Sequence, residues 1–284
     1  MKILLTGAAG FTGSFFRTHA EAQGHQVVAL TADLTDKQAL GAEVASVAPD
    51  AVVHLAAISF VGHADESAIY GVNVVGTTNL LSALASLPKP PDCVLLASSA
   101  NIYGNCEASP ITEKQGAAPI SHYAMSKLAM EHMALTYSDR LSIVIARAFN
   151  YIGPGQGPEF LVPKLIRHFV QKEEEIELGN LEFEREFNDV RMVCDAYLRL
   201  LSKGKSDEAY NVCTGRVYTL PHLIFSLREI TGHQLIVREN PAFIRPNEVH
   251  RLYGDASKLK SAIGELKEYV LTDTLKWMLN SYVA

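Results

Sequence analysis

One early segment governs the architecture of this chain: Lys2-Ile3-Leu4-Leu5-Thr6-Gly7-Ala8-Ala9-Gly10-Phe11-Thr12-Gly13. The apolar run 2–6 predicts a buried strand, and the glycines after it predict a tight turn into a helix through about residue 23. One glycine allows the turn, one lets the backbone approach a pyrophosphate, and one allows close packing of helix on strand. A glycine turn without a ligand is the alternative.

Further strands are predicted along the chain, with helices between them. They lie at 26–30, 50–57, 93–97 and 141–146. Strands that alternate with helices form parallel sheets covered on both faces. The sequence therefore predicts an α/β fold with a Rossmann-type doubly wound parallel sheet. After Gln156 the strict alternation is lost, which predicts a smaller C-terminal α/β substrate domain.

Composition limits the class of protein. The 284 residues are 48% hydrophobic and carry a formal net charge of −6 without long runs of Lys or Arg, which argues against a nucleic-acid groove. We expect no stretch of membrane-spanning length. Four cysteines without C-x-x-C spacing argue against a zinc site or a disulfide framework and favour reduced thiols in a cytoplasmic protein.

A tyrosine and a lysine four residues apart, Tyr123 and Lys127, project from one face of a predicted helix. A nearby ammonium group favours an ionised phenol, so we expect Lys127 to lower the pKa of Tyr123. Ser99 follows the apolar strand at 93–97, where its hydroxyl would bond the same substrate oxygen. Taken alone, the Tyr-x-x-x-Lys spacing also occurs in ordinary surface helices.

Together with the glycine turn, these residues resemble the extended short-chain dehydrogenase/reductase family, whose members act mostly on nucleotide-linked sugars. The resemblance covers nearly the whole chain. It implies that Ser99 and Tyr123 bind a carbonyl oxygen, that Tyr123 gives the proton, and that Lys127 tunes it and holds the nicotinamide ribose. The NAD(P) contacts that it implies are Gly7, Gly10, Phe11, Thr12, Gly13, Thr31, Asp33, Leu34, Leu55, Ala56, Ala57, Asn73, Tyr123 and Lys127.

The resemblance also divides the chain. Residues 1–155, with 186–213 returning to them, form a NAD(P)-binding Rossmann domain, and residues 156–185 with 214–284 form a nucleotide-sugar-binding domain. Within the first domain, Asn73 lies in a long helix predicted at 64–86 and stabilises the active-site helices and the fourth strand. His54 is interpreted as a packed structural histidine rather than a catalyst.

The exit of the second strand bears on the choice of cofactor. Thr31 stands where an acid would bind a free ribose 2′-hydroxyl or an arginine would clasp a 2′-phosphate. With neither present, we expect a slight preference for NADP(H), with NAD(H) accepted. Asp33 resembles an adenine contact of the family, after a shortened third strand, or it caps a helix at about 34–48. Both interpretations stay open.

Two segments in the second half, 179–190 and 244–249, resemble those shared by GDP-mannose 4,6-dehydratases and GDP-4-keto-6-deoxy-D-mannose reductases. Arg185 and Arg245 suit a diphosphate because each guanidinium can fork onto phosphate oxygens, although a surface ion pair is the alternative for Arg185. Glu186 and His122 depart from the aspartate and proline of the family pattern. The implied substrate contacts are Ser59, Ser99, Ser121, Asn150, Asn180, Arg185, Arg245 and Glu248.

The reaction is indicated by what is missing. In the family's dehydratases an acidic residue lies two positions before the tyrosine of a Tyr-Gly pair, and here that position is Asn101, which cannot act as a general base. Glu113 is the alternative source of a carboxylate. The prediction is reduction of GDP-4-keto-6-deoxy-D-mannose to GDP-D-rhamnose. A GDP-6-deoxy-D-talose 4-dehydrogenase, a 4-epimerase and a non-catalytic NADP-sensing protein are the alternatives.

The sequence also predicts which residues orient the sugar ring and which helices form an oligomer interface. Residues around Ser59, Phe60, His63 and Ser121 would turn the ring and so choose the face that is reduced. The helix that carries Tyr123 and the helix that carries Asn73 have more apolar surface than one buried face needs. The resemblance implies that they pair with their copies in a homodimer through a four-helix bundle.

Overall fold

The computed structural model describes residues 1–60, 64–107, 109–244 and 249–283. Its strands are β1 (Lys2–Thr6), β2 (Gln26–Ala29), β3 (Ala51–His54), β4 (Cys93–Ser99), β5 (Ile143–Ala148), β6 (Tyr151–Ile152), β7 (Glu175–Leu178), β8 (Glu184–Arg185), β9 (Asn188–Asp189), β10 (Glu208–Val212), β11 (Ile236–Glu239) and β12 (Arg251–Leu252).

The helices alternate with the strands in the first half of the chain. They are α1 (Phe11–Ala22), α2 (Lys37–Val47), α3 (Glu66–Tyr70), α4 (Thr77–Ala85), α5 (His122–Ala134), α6 (Leu161–Gln171), α7 (Val190–Lys203), α8 (Leu220–Thr231), α9 (Ser257–Ile263) and α10 (Leu271–Val283). A π-helical segment, Gly71–Gly76, joins α3 to α4, and short 3₁₀ turns lie at Ala100–Tyr103, Leu135–Tyr137 and Pro241–Phe243.

Six parallel strands form the central sheet in the order β10-β5-β4-β3-β1-β2. Apolar side chains of the strands point to both faces, where one buried cluster packs with α1 and α7 and another with α2, α4 and α5. The predicted Rossmann-type fold is confirmed. The chain runs from β1 outward to β2 and then crosses to β3 on the other side of β1, so the point where the strand order reverses lies between β1 and β3.

The segment after β2 differs from the prediction. Residues 30–36 contain no strand, and β2 is the edge of the sheet. Asp36 caps α2 by accepting hydrogen bonds from Gln38 N at 3.1 Å and Ala39 N at 3.0 Å. Asp33 instead accepts from the backbone and side chain of Thr35. The interpretation of Asp33 as the helix cap is therefore wrong, because the helix begins one turn later.

The predicted helix at 64–86 is confirmed as the run Glu66–Ala85, with the π-helical segment in its middle. This run is long and apolar enough to cross a membrane by length and composition alone, contrary to the expectation that no stretch reaches that length. Its apolar residues include Leu80, Leu81 and Leu84, which are fully buried against the sheet. A helix packed in a protein core passes the same test of composition.

The second half of the chain has a separate apolar cluster between α6, α8 and α10. The chain returns to the central sheet after β9, where β10 pairs with β5. One element departs from the predicted division, because Leu259 and Ile263 of α9 pack in the cluster of the central sheet although they lie within 214–284. The apolar side chains of α9 pack against those of α7. The division into two domains otherwise stays a prediction.

The glycine turn is held by backbone contacts that leave no room for side chains. Gly7 has a φ of +69°, and a Cβ there would lie 2.8 Å from Ala56 N. A Cβ at Gly13 would lie 2.1 Å from the Gly7 carbonyl oxygen. Only glycine lets α1 start this close to β1, since L-residues rarely adopt the first conformation and cannot fit the second contact.

We expect Gly13→Ala to destabilise the protein by about 2–4 kcal/mol, because the new methyl group overlaps rigid backbone. The matched control is Gly41→Ala in α2, where a Cβ meets nothing within 4 Å. There the change should stabilise the helix by about 0.5–1 kcal/mol. Urea unfolding of both variants measures the difference, and equal effects would contradict the assigned role of Gly13.

Candidate active site

A crevice lies at the carboxyl ends of β1 and β3, where two loops meet. Thr6 Oγ1 accepts hydrogen bonds from Leu55 N at 3.1 Å and Ala56 N at 3.0 Å, which ties the loop after β3 to the end of β1. A Cβ at Gly10 would lie 3.2 Å from the Gly7 carbonyl oxygen. The bare backbone and the N-terminus of α1 form a cradle that fits a dinucleotide pyrophosphate. Gly7, Gly10 and Gly13 therefore meet Leu55 and Ala56 at this edge of the sheet, and a cofactor contact of Ala57 stays a prediction.

Phe11 and Thr12 use their side chains for packing within the protein. The Phe11 ring stacks on Tyr151 with centroids 6.0 Å apart, and Thr12 Oγ1 lies 2.8 Å from the Tyr151 hydroxyl. A dinucleotide would therefore meet the backbone of these two residues. Tyr151, which sequence reasoning missed, contacts the first turn of α1 from β6, a strand outside the central sheet.

The exit of β2 holds a carboxylate that sequence reasoning missed. Glu43 of α2 accepts hydrogen bonds from Thr31 N at 2.9 Å, Thr31 Oγ1 at 3.0 Å and Ala32 N at 2.7 Å. The expected preference for NADP(H) assumed that no acid reaches this place. That premise is wrong, because the helix brings the acid back from 12 residues further along the chain.

Asp33 and Leu34, the other predicted contacts on this side, differ in exposure. Asp33 is exposed, and hydrogen bonds from Thr35 lower its pKa. The Leu34 side chain is buried in the core beside Gly76, and its carbonyl oxygen accepts from Asn79 Nδ2 at 3.0 Å. Any contact of Leu34 with an adenine would come from its backbone.

His54 is buried between two hydroxyl groups, Thr6 Oγ1 at 2.7 Å and Thr77 Oγ1 at 2.8 Å. Burial lowers the pKa of His54 to about 3, with a smaller contribution from the Lys127 charge. A neutral imidazole with both nitrogens occupied agrees with its interpretation as a structural histidine.

Asn73 is buried and uses its side-chain amide for protein contacts. It accepts from Ile58 N at 2.9 Å and donates to Ile58 O at 3.1 Å and to Ser126 Oγ at 3.0 Å. These bonds join the loop after β3 to α5. Asn73 is thus a positioning residue for the helix that carries Tyr123, and its direct contact with a cofactor stays a prediction.

The three residues predicted to act on a substrate meet at the carboxyl end of β4. Ser99 ends that strand, and Tyr123 and Lys127 lie on the buried face of α5. The side chains of Ser99 and Tyr123 are hydrogen-bonded, and Lys127 Nζ donates to the Ala97 carbonyl oxygen at 2.8 Å. A hydroxyl, a phenol and an amine are therefore held together out of bulk water.

The electrostatics of this group differ from the prediction. Burial raises the pKa of Tyr123, and the hydrogen bond with Ser99 opposes that rise. Burial also lowers the pKa of Lys127 to about 8, opposed by the Glu131 carboxylate. The expected lowering of the Tyr123 pKa by Lys127 is therefore wrong for this structure, because the ammonium group is directed at Ala97 and desolvation of the phenol dominates.

A buried ion pair beside Lys127 was also missed. Glu131, one turn further along α5, accepts from Arg147 Nη2 at 2.7 Å and Nε at 3.1 Å, and the Ser98 hydroxyl donates to the same carboxylate. Arg147 Nη1 donates to the Tyr103 hydroxyl at 2.9 Å. An acid four residues after Lys127, on a helix face that is otherwise buried, was the available signal.

Asn101 lies two residues after Ser99, in a 3₁₀ turn, where its backbone N donates to Ser99 Oγ at 3.2 Å. The alternative acid, Glu113, is occupied elsewhere: its Oε1 accepts from Asn211 N of β10 at 2.7 Å. The loop before α5 thus directs Glu113 toward the edge strand of the sheet. This geometry disfavours Glu113 as a base beside Tyr123.

A cavity of about 560 Å³ opens between the segment after β4 and the second half of the chain. It is lined by Cys106, Glu107, Leu181, Glu182, Phe183, Glu184, Thr219, Pro221, His250 and Arg251. The lining does not include Ser99, Tyr123 or Lys127. The cavity is therefore separate from the group at the carboxyl end of β4.

Two predicted substrate contacts lie at or near this cavity. Asn180 Oδ1 accepts from Glu182 N at 2.8 Å, in the turn that lines the cavity. Arg185 lies over the Phe183 ring at 5.5 Å and donates to the Val249 carbonyl oxygen. The guanidinium is thus held by the protein, partly buried, next to cavity-lining residues.

The departure from the family pattern at Glu186 has a structural explanation. Glu186 is fully buried and accepts from Gly254 N at 2.7 Å, Thr214 N at 2.8 Å and Asn188 Nδ2 at 2.9 Å. Its carboxylate joins β8 to two loops of the second half. It supports the position of Arg185 rather than contacting a ligand itself.

The remaining predicted contacts are dispersed. Ser121 caps α5 by accepting from Ala124 N at 3.2 Å, Ser59 is exposed after β3, and Asn150 follows β5 at the same edge of the sheet. Phe60 packs edge-on against Phe160. The predictions for His63, Arg245 and Glu248 lie outside the described residues.

The doubly wound parallel sheet, the glycine cradle at β1 and the Ser99-Tyr123-Lys127 group at β4 define an enzyme of the extended short-chain dehydrogenase/reductase class. The sequence pattern of the GDP-mannose 4,6 dehydratase family matches residues 17–278. The chain belongs to this family.

Relatives with known names narrow the comparison. The chain is 38% identical to GDP-6-deoxy-D-talose 4-dehydrogenase of Aggregatibacter actinomycetemcomitans, over 93% of this chain and 92% of that one. It is 32% identical to GDP-6-deoxy-D-mannose reductase of Pseudomonas aeruginosa, over 99% and 97%. The solved structure of RMD from P. aeruginosa complexed with NADPH has a TM-score of 0.91 and 32% identity, over 99% and 98% of the two chains.

The buried Lys127 amine predicts a pH dependence of stability. Its pKa falls from 10.5 to about 8 on folding, so the unfolded chain binds more protons between these values and stability rises with pH there. From pH 8 to pH 10 this contribution should reach about 2 kcal/mol. Lys127→Met should lack it, and urea unfolding at several pH values measures the difference from wild type.

The control for this prediction is Lys37→Met at an exposed position of α2. Its free energy of unfolding should vary with pH as that of wild type does. Only differences from the wild-type pH dependence are compared. Burial raises the pKa of several Tyr and Cys groups, and their effect on the pH dependence of stability is common to all variants. A Lys127→Met profile parallel to that of wild type would contradict the perturbed pKa.

Proposed function

We propose that this enzyme reduces the C4 ketone of GDP-4-keto-6-deoxy-D-mannose, with a nicotinamide dinucleotide as the hydride donor, to give GDP-D-rhamnose. One observation carries the proposal: the hydroxyl, phenol and amine for carbonyl reduction are assembled at β4, while an amide stands where the family's dehydratases have an acid.

The residues at β4 supply the proton side of the reaction. Ser99 and Tyr123 bind the ketone oxygen, and Tyr123 donates its proton to that oxygen as the carbon becomes an alcohol. Burial keeps Tyr123 protonated at neutral pH, which suits an acid. Lys127 holds the nicotinamide ribose and supports the phenolate that remains. When bound, the reduced nicotinamide supplies the hydride.

Reduction from the other face, which gives the 6-deoxy-D-talose epimer, is the second candidate. The relative with 38% identity carries the name GDP-6-deoxy-D-talose 4-dehydrogenase, whereas the relative with 32% identity is named GDP-6-deoxy-D-mannose reductase. The orientation of the sugar above Tyr123 selects between the two products. Ser59, in the segment after β3, and Ser121, two residues before Tyr123, are proposed to orient the ring.

The nucleotide is proposed to occupy the cavity of the second half. Arg185 beside this cavity suits a diphosphate, and the names of both relatives contain GDP. Asn180, in the turn that lines the cavity, and Asn150, after β5, are proposed as further contacts of the nucleotide sugar. A nicotinamide dinucleotide is supported by the glycine cradle and by the NADPH in the P. aeruginosa RMD structure. The preference for NAD(H) or NADP(H) depends on the groups that meet the adenosine ribose after β2, where Thr31 and Ala32 donate to Glu43.

The enzyme should oxidise the reduced dinucleotide only when GDP-4-keto-6-deoxy-D-mannose is present. Tyr123→Phe should lower kcat by about 10²–10⁴-fold, because the proton donor is lost, and leave cofactor binding intact. Tyr282→Phe, an exposed tyrosine of α10, is the matched control. Proton NMR of the product distinguishes a large H3–H4 coupling, expected for D-rhamnose, from the small coupling of 6-deoxy-D-talose.

A second incubation, with GDP-mannose and the oxidised dinucleotide, tests the role of Asn101. We expect no 4-keto-6-deoxy product, because eliminating water across C5 and C6 needs a base at this position. Its formation at a rate similar to ketone reduction would contradict the reductase assignment. Cofactor binding without turnover of GDP-, dTDP- or UDP-linked ketones would favour a non-catalytic NADP-sensing protein instead.

We further propose that the enzyme works in the cytoplasm, where nucleotide sugars are made, as a homodimer through a four-helix bundle. The helix run Glu66–Ala85 exposes Val75 (54%), and the neighbouring α5 exposes Met125 (43%). Apolar side chains on two packed helices suit a second copy of the same pair.

Val75→Lys and Met125→Lys should each shift the protein from dimer to monomer, because a charge is then buried at the helix interface. Ile236→Lys on β11 is the control, since this side chain is equally exposed (54%) but lies away from both helices. Sedimentation equilibrium measures the mass. A wild-type monomer, or a dimer unchanged by both substitutions, would contradict the bundle.

A further inference from the structure

Three hydrogen-bond donors at the exit of β2 converge on one carboxylate of the protein itself. Thr31 N donates to Glu43 Oε1, while Thr31 Oγ1 and Ala32 N donate to Glu43 Oε2, at 2.7–3.0 Å. Both carboxylate oxygens are therefore held, and the side chain is fixed over the start of the turn. No lysine or arginine among the described residues forms an ion pair with Glu43.

In a doubly wound sheet that binds a dinucleotide, the residues after the second strand contact the adenosine ribose. β2 pairs with β1 in parallel, so its exit lies beside the glycine turn at the end of β1. An adenosine ribose bound across this crevice directs its 2′ position at the residues after β2, where an acid accepts a 2′-hydroxyl or a cation binds a 2′-phosphate. Thr31 and Ala32 occupy that position here.

A 2′-phosphate would need the donors that Glu43 already occupies. Phosphate oxygens are bound by N–H and O–H groups and by cations, and the available N–H and O–H groups of Thr31 and Ala32 are taken by an anion. Burial raises the pKa of Glu43, but the hydrogen bonds from Thr31 and Ala32 outweigh it and lower the pKa overall. The exposed Asp33 carboxylate adds negative charge nearby.

We propose that Glu43 is a specificity-determining residue that selects NAD(H) over NADP(H) by placing its carboxylate where the adenosine 2′-phosphate would bind. A free 2′-hydroxyl can donate to this carboxylate, whereas a 2′-phosphate meets like charge and occupied donors. The inference reverses the preference expected from Thr31 alone. It rests on the proposed function only in requiring a nicotinamide dinucleotide as the ligand.

The test measures binding without any sugar, so it is independent of the proposed reaction. Two matched pairs of ligands are titrated by calorimetry: NADH with NADPH, and 5′-AMP with 2′-phospho-AMP. Wild type should bind the ligand without the 2′-phosphate at least about tenfold more tightly in each pair. Glu43→Gln should reduce this ratio by about tenfold or more, mainly by tightening NADPH.

Asp50→Asn is the matched control, because Asp50 also accepts a backbone hydrogen bond, from Lys2 N at 2.7 Å, but at the opposite end of the sheet. Its ratio should equal that of wild type. Salt provides a readout that a merely structural role of Glu43 would not change. Raising the ionic strength should bring the wild-type affinities for the ligands with and without the 2′-phosphate closer together, because salt screens the repulsion between Glu43 and the phosphate. In Glu43→Gln the ratio of these affinities should change less with salt.

Two results would overturn the proposal: tighter binding of NADPH than of NADH by wild type, or an unchanged ratio in Glu43→Gln. Loss of both dinucleotides in Glu43→Gln and also in Glu43→Ala would count against it too, because Glu43 would then only support the loop. If the ratios change as expected but no ketone is reduced, the proposed function fails and the assignment of Glu43 stands.

Discussion

A buried ammonium group is the constraint on which the arrangement around the active site depends. Lys127 is nearly inaccessible to solvent, and removing such a charge from water is costly unless it is paired and hydrogen-bonded. The Ala97 carbonyl oxygen accepts a hydrogen bond from Lys127 Nζ, and Glu131 supplies the opposite charge one turn away. The Glu131 carboxylate accepts hydrogen bonds from Arg147, and Arg147 also donates to the Tyr103 hydroxyl. The Tyr103 hydroxyl in turn donates to Asn211 Oδ1 at 2.7 Å. A chain of polar contacts therefore extends from α5 to β10.

This network explains why α5 buries polar residues without losing its place in the fold. An ordinary core helix buries apolar side chains, whereas α5 buries Tyr123, Ser126, Lys127 and Glu131. Each has a partner in the sheet or in the helix that carries Asn73, so little hydrogen bonding is lost on folding. Removing one member of a buried pair typically costs about 3–5 kcal/mol. The helix is thus fixed in rotation and depth, which is what positions the phenol of Tyr123.

The dinucleotide side of the crevice is organised by close backbone contacts instead. Gly7 and Gly13 bring β1, the loop after β3 and α1 so close that the protein offers backbone N–H groups rather than side chains. Around this cradle the side chains of Phe11 and Thr12 pack on Tyr151. The site therefore combines a cradle of bare backbone with one carboxylate, Glu43, to which we assign the choice between dinucleotides.

Features that depend on local geometry could be predicted from the order of residues. The glycine turn, the alternating strands and the one-face spacing of Tyr123 and Lys127 are properties of short segments, and the structure contains each of them. Contacts between distant residues could not be predicted in this way, because they depend on how the whole chain folds. Glu43 returns to Thr31 across a helix, and Glu113 is drawn to Asn211, 98 residues away, rather than to Tyr123. The direction of the Lys127 amine, and with it the pKa of Tyr123, followed from burial between α5 and β4, because desolvation depends on neighbours that no spacing reveals.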